Sequence, residues 1–212
     1  MTIPNTPPYK TRGARFELIR GDIVTTRLDG SDAVRESPIA KWRLSAPMIP
    51  MTYEDAQPWL SAIHQLSRPS AFFNASVPGF EQSEYAKTYH NGSWSQGQPF
   101  VDGSGQTGTS VAVEGLVPNQ SFLTRGDYFG LIEITPAGPV TRLKIVMRDV
   151  TSDGAGKAVV DFEPAIRGEA FEGGAVELID PKVRMRLMDS TAYQLRPNRI
   201  VDITLEAVEV YD

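Results

Sequence analysis

Cysteine is absent from this 212-residue sequence. That removes disulfides, thiolate zinc sites and cysteine nucleophiles at once, so stability has to come from packing and association. Histidine is almost absent: His64 and His90 are the only two, and they form no His-x-x-x-His or His-Glu pair of the kind a transition-metal site requires. No apolar run approaches the roughly 18 to 20 residues of a membrane span, which argues against membrane insertion. The start, Met1 to Arg15, lacks the basic and then apolar order of a secretory signal. Synthesis and retention in the cytoplasm are therefore expected. Pro4, Pro7 and Pro8 make this stretch an extended arm.

Positive charge is also in short supply. Lys and Arg number 21 against 26 Asp and Glu, a net charge of −5, and the basic residues form no stripe. Phosphate neutralisation supplies most nucleic-acid affinity, so a dedicated binder is excluded, although DNA can pass an acidic surface without being held.

What the sequence has in abundance is strand and turn. Phe16 to Leu28 reads as two strands about Gly21-Asp22, closed by Asp29-Gly30-Ser31, with a charged loop to Glu36. Ile39 to Met48 alternates through Trp42 and Leu44 as a half-buried strand. One helix is expected over 56–67, with Asp55 as cap and Pro58 in its first turn. Ala56, Trp59, Leu60, Ile63 and Leu66 form its apolar face. Ala71 to Ala75 is a short strand, and Val77 to Gly108 a long polar segment. From Ser110 onward strands alternate with turns at the spacing of a small barrel or sandwich.

The centre of that half is Leu143 to Ile166, two β-rich runs about Asp153-Gly154-Ala155-Gly156. It reads as a hairpin, with Asp153, Gly154 and Gly156 available for positive φ and Ile145, Met147, Val159 and Phe162 facing a core. The last strand, Arg199 to Val210, follows a Pro197-Asn198 break and is expected to return to the first domain. The fold class is thus mainly β. A β-sandwich domain of residues 1–91 plus 190–212 carries one short helix and is completed by the C-terminal strand, with residues 92–189 inserted as a small β-barrel.

The short motifs read better as turns than as sites. Gly103 to Gly108 spells Gly-x-Gly-x-x-Gly, but β-formers follow it where a dinucleotide site needs a helix. Asp149 to Gly154 imitates a calcium loop, yet Val160 stands where the bidentate Glu belongs. Two Arg-Gly-Asp tripeptides, Arg20 to Asp22 and Arg125 to Asp127, fall where strands begin or bend. Gly-x-Ser-x-Gly is missing. Paired acids of the glycosidase type are offered by Asp161 with Glu163 and by Glu81 with Glu84, although acids at alternate strand positions are more often a solvated face. No catalytic residue, cofactor or metal is expected. Tyr85, Tyr89, Trp94 and Phe100 are the candidate contacts, either for a protein partner or for sugar rings.

A pattern of spacings then carries a resemblance. Asp102 to Thr109, Leu123 to Phe129, Val146 to Val150, Asp153 to Phe162, Pro164 to Arg167, Gly173 to Val176 and Met185 to Leu187 together look like the distal tail proteins of long-tailed bacteriophages. It spans Trp42 to Val208, and Trp59 to Leu66 match the family's short helix. The proline-rich arm before Arg15 departs from the family's pattern. The resemblance implies a structural virion protein at the tail tip, with a β-rich belt domain and an outward barrel. Such proteins form a ring, commonly a hexamer, that joins the tail tube protein to the hub beside the tape-measure protein and leaves a lumen for DNA. Heterologous contacts that close into a ring suit a chain rich in exposed loops. The alternative is a carbohydrate-binding β-sandwich recognising a bacterial surface through the same four aromatics.

Overall fold

A computed structural model describes residues 13–210 except 22, 28, 36–39, 69, 137 and 190, so the arm up to residue 12 lies outside the described residues. The chain is mainly β, with 51% strand, 12% helix and several sheets. The described residues divide into two compact units, one up to Ala75 together with those from Arg184 on, and one from Ser76 to Val183. The elements run β1 (Arg15–Arg20), β2 (Ile23–Thr26), β3 (Asp32–Arg35), β4 (Ala40–Pro47), β5 (Met51–Thr52), α1 (Tyr53–Leu66), β6 (Phe73–Ser76) and α2 (Glu84–Tyr89). There follow β7 (Phe100–Val101), β8 (Gly108–Glu114), β9 (Ser121–Leu123), β10 (Tyr128–Thr135), β11 (Gly138–Val146) and β12 (Val150–Thr151). The last are β13 (Ala158–Ile166), β14 (Glu169–Ala170), β15 (Lys182–Leu187), β16 (Ala192–Arg196) and β17 (Ile200–Glu209).

The first unit is organised on a seven-stranded sheet in the order β1-β4-β17-β15-β6, with β5 and β16 also on β17. Period-two patterning explains its central strands. Trp42, Leu44 and Ala46 are buried on one face of β4, and Ile203, Leu205 and Ala207 continue that face on β17. Phe16 stacks on Trp42 at 4.9 Å. The C-terminal strand therefore completes the sheet begun by the N-terminal segment, Ala207 standing opposite Leu44. Part of the Ser31 to Glu36 segment, expected as a loop, is the strand β3, which pairs with β2.

Helix α1 begins three residues earlier than the sequence suggested. Thr52, not Asp55, is its cap: the Thr52 hydroxyl accepts from the Asp55 N–H at 3.3 Å and donates to the Asp55 carboxylate at 2.7 Å. The reciprocal pair satisfies a free N–H of the first turn, as in a capping box. Pro58 consequently lies inside the helix, where it offers no N–H to the Glu54 carbonyl. Both residues are exposed, so water can serve that carbonyl. Ala56, Trp59, Ile63 and Leu66 are buried, whereas Leu60 is only half-buried at the margin of the apolar stripe.

In the second unit a six-stranded sheet, β14-β10-β11-β13-β8-β7, curls into a nearly closed barrel. Residues 175 and 177 make isolated bridges across its opening: Ala175 pairs with Phe100 at one side and Glu177 with Gly130 at the other. Inside pack Val111, Val113, Phe129, Leu131, Val160 and Phe162, with Phe129 and Phe162 edge to face at 5.6 Å.

The stretch from Leu143 to Ile166 is not a simple hairpin. Its outer ends pair, Ile145 opposite Glu163 and Val146 opposite Phe162, but the chain between them detours through β12 onto β9. The tight hairpin is β10 with β11, in register from Tyr128↔Ile145 to Thr135↔Gly138. Of the three corner residues expected at positive φ, only Gly156 has it, at +74°. Val160 rather than Val159 faces the core with Phe162, since residues an odd number apart cannot share a strand face; Val159 and Met147 are exposed.

The sequence placed residues 76–91 with the first domain. They belong to the second unit, because Tyr85 and Ala86 of α2 are part of the barrel's core. Helix α2 itself was hidden in the polar segment. Ser83 caps it by accepting from the Ala86 N–H at 3.2 Å.

Candidate functional site

A cleft of about 480 Å³ opens in the second unit, and four carboxylates line it: Glu81, Glu84, Asp127 and Asp180. They come from three distant parts of the chain. Ser83 starts α2, which places Glu84 in its first turn and Lys87 one turn on. Asp180, at φ +44°, donates its N–H to the Glu81 carbonyl at 2.6 Å and so ties the two segments together. Asp127 closes the Thr124 to Asp127 turn, its carboxylate accepting from the Thr124 N–H at 2.9 Å. The second Arg-Gly-Asp tripeptide is thus turn chemistry, with Gly126 at φ +93°.

The cleft is electrostatically uneven. Lys87 is held by Glu84 at 2.5 Å and Lys182 reaches Asp180 at 3.3 Å. Lys87 is pushed above the usual lysine range, first by its hydrogen bond to Glu84 and then by that residue's charge. Burial raises the Asp127 carboxyl above the usual carboxylate range; the Thr124 N–H opposes this, while the negative charge of Glu84 adds to it. Phe80 supplies the apolar wall and packs edge-on against Tyr128 at 5.5 Å.

Of the acid pairs read from the sequence, Glu81 and Glu84 do share this cleft. Asp161 is engaged by Arg148 at 2.5 Å on a part-exposed strand face, as a solvated acid would be. Sequence reasoning missed Asp127, Asp180 and Lys87. Only Ser83 followed by Glu84, a helix-start signal, hinted that this segment was ordered. Among the described residues no group of three His, Asp or Glu side chains could hold a metal ion.

Three of the four candidate aromatics gather: Tyr85 lies 4.7 Å from Tyr89 and 6.2 Å from Trp94 between ring centres. Tyr85 is 3% exposed; its hydroxyl donates to the Gly97 carbonyl and accepts from the Val117 N–H, both at 2.9 Å, and its ring meets Phe122 edge-on. Burial raises its hydroxyl pKa, against the Val117 bond that lowers it. A residue so enclosed cannot contact a partner or a sugar. Its helix turned it inward, whereas the polar composition around it had suggested a loop. Tyr89 and Trp94 pack half-buried against the same core, and Trp94 meets His90 edge-on at 5.2 Å. Phe100 is half-buried on β7.

The glycine-rich loop opens into a strand, β8, and not into the helix that a pyrophosphate site requires. Gln106 staples it: its amide donates to the Asp102 carbonyl at 2.7 Å and accepts from the Ala112 N–H at 2.5 Å. The corner at Asp153 is likewise occupied by its own backbone. The Asp153 carboxylate accepts from the N–H groups of Ala155 at 2.8 Å and Lys157 at 2.9 Å. These bonds, the Lys157 one first, hold its carboxyl below the usual range.

One ionic cluster is fully buried. Glu133 and Lys144 are both 0% exposed and 2.5 Å apart, and Lys144 also donates to the carbonyls of Pro164 at 3.1 Å and Ala165 at 3.2 Å. The Arg167 N–H donates to the other Glu133 oxygen at 3.1 Å. The cluster fastens the end of β13, where its pairing with β8 shifts register.

No protein-family model matches the chain. No curated protein matches it either.

Proposed function

We propose that this chain is a structural component of a phage tail tip. It forms a ring, a hexamer on the family's pattern, that joins the tail tube protein to the hub, meets the tape-measure protein and leaves a lumen through which DNA passes. The observation that supports this reading is the return of β17 to pair with β4, so that in sequence the barrel-like unit is inserted into a helix-bearing β unit. A helix-bearing β unit with a second, barrel-like unit is what the resemblance implies; the return of the last strand is read from the Pro197-Asn198 break. The net charge of −5 and an acid-lined cleft favour a surface that lets DNA slide past.

A second reading rests on Tyr89, His90 and Trp94, a half-exposed aromatic group that could stack on a sugar ring. Negative-stain imaging of the purified protein separates the two. Rings with a stain-filled centre are expected. Dispersed single copies that bind bacterial glycans, and lose that binding in Trp94→Ala, would replace the first reading with the second.

A further inference from the structure

The edge strand β16 is unlike the other strands of the first unit. All five of its residues are exposed, with Tyr193 at 49% and Leu195 at 60%. Its one partner among the described residues is β17. The register sets Tyr193 opposite Ile203 and Leu195 opposite Val201, both buried. Residues directly opposite share a face, so the exposed pair continues the apolar face that carries the unit's core. His64 of α1 touches only the edge of Tyr193, at 6.4 Å between ring centres.

Open edges are usually blunted by charge, proline or a bulge, because their free N–H and C=O groups template another strand. Here the single charge, Arg196, sits at the strand's end and is engaged by Asp202. The order Ala192, Tyr193, Gln194, Leu195, Arg196 is matched to itself in one direction only. Antiparallel pairing centred on Gln194 puts Tyr193 of each copy beside Leu195 of the other and Arg196 beside Ala192. Parallel pairing in register would oppose the two Arg196 side chains, which repel. A two-fold axis perpendicular to the sheet keeps both apolar faces on one side, so Ile203 and Tyr193 of one copy run on into Leu195 and Val201 of the next. The two Gln194 amides meet at the axis, where each can donate to the other.

We propose that β16 is a self-pairing edge: a second copy of this chain adds to it, antiparallel about Gln194, and extends the sheet across both copies. This contact is isologous and operates whether or not the copies also close into a ring.

The absence of cysteine permits a direct test. In Gln194→Cys the new thiols face each other across the axis, whereas Glu172→Cys, exposed in the second unit, serves as the control. Mild oxidation should convert the first to a disulfide-linked dimer and leave the second uncrosslinked. Leu195→Lys, folded by circular dichroism, should weaken self-association in sedimentation by about tenfold or more. No crosslink at position 194, equal crosslinking at 172, or unchanged association of Leu195→Lys would each overturn the proposal. So would a wild-type protein that stays monomeric and pairs only with a strand of another protein. Rings that persist in Leu195→Lys leave the tail-tip reading standing, and rings absent beside a Gln194 crosslink remove only that reading.

Discussion

Two connections of this chain follow opposite principles. At the Asp153 corner the polar groups are used internally: the carboxylate caps two N–H groups, Gly156 fits beneath Leu116, and Val160 and Phe162 enter the barrel, although Val159 between them and the corner is exposed. At the β16–β17 hairpin the chain turns through Asn198 and Arg199 at positive φ and leaves Tyr193 and Leu195 in water. The sheet of the barrel-like unit is nearly closed, while the sheet of the first unit keeps an apolar edge. The difference teaches where to look for function: a region that satisfies its own groups resists change, and one that does not is available to a neighbour.

The largest effects should come from breaking the closed region. Lys144→Met removes the nearer of two buried cations from Glu133, leaving Arg142 at 4.0 Å, and should cost about 3 kcal/mol in urea unfolding, because a buried charge loses its closest partner. Adding Glu133→Leu should recover only part of that loss, since the apolar replacement of the Glu133–Lys144 pair takes the carboxylate away from buried Arg142. Next in size is Gly156→Val. A Cβ there would lie 2.3 Å from the Leu116 carbonyl oxygen, at a φ of +74°, so about 2–4 kcal/mol should be lost. Gly154→Ala, with nothing nearer than 4.0 Å and no positive φ, should change stability by less than about 0.5 kcal/mol.

Acid sharpens the comparison through two aspartates shifted in opposite directions from the ordinary value of 3.8. Asp153 has a depressed carboxyl pKa in the folded chain. Its contribution is present above the ordinary value and lost as pH falls through the depressed one. Asp127, raised by burial, contributes at pH below the ordinary value, and that contribution fades as pH rises through the raised one. Melting temperatures across acid pH should therefore show Asp153→Asn weaker than wild type near neutrality, with the gap closing in acid. Asp127→Asn should hold level with or above wild type near neutrality and lose that position in acid. The smallest effect belongs to the open region. Leu195→Ser removes a side chain that is 60% exposed and should move the unfolding midpoint by less than about 0.5 kcal/mol, while altering sedimentation.

Much of the fold was legible where local pattern and tertiary packing agree. The alternation of Trp42, Leu44 and Ala46 gave a strand, and the spacing of Ala56, Trp59, Ile63 and Leu66 gave a helix face. The return of the last strand was legible from its length and the break before it. Helix α2 was not, because six residues are too few to display a helical period. Tyr85 was misplaced for the same reason. Asp153 and Gly154 did not need positive φ, because the side chain of Asp153 builds the corner through its own hydrogen bonds. The acid-lined cleft was legible only as Glu81 with Glu84. Asp127 joins them from a turn and Asp180 through its N–H bond to the Glu81 carbonyl, contacts between distant segments that no local window contains. The Glu133–Lys144 pair was invisible because charge at a core-facing strand position looks like a solvated face until its partner is placed opposite.

The proposed ring and the proposed β16 contact share one requirement, association between copies of this chain. Sedimentation velocity of the purified chain over a wide concentration range tests it most directly. A single species of several copies that persists on dilution is expected. A sharp monomer boundary at every concentration would contradict it.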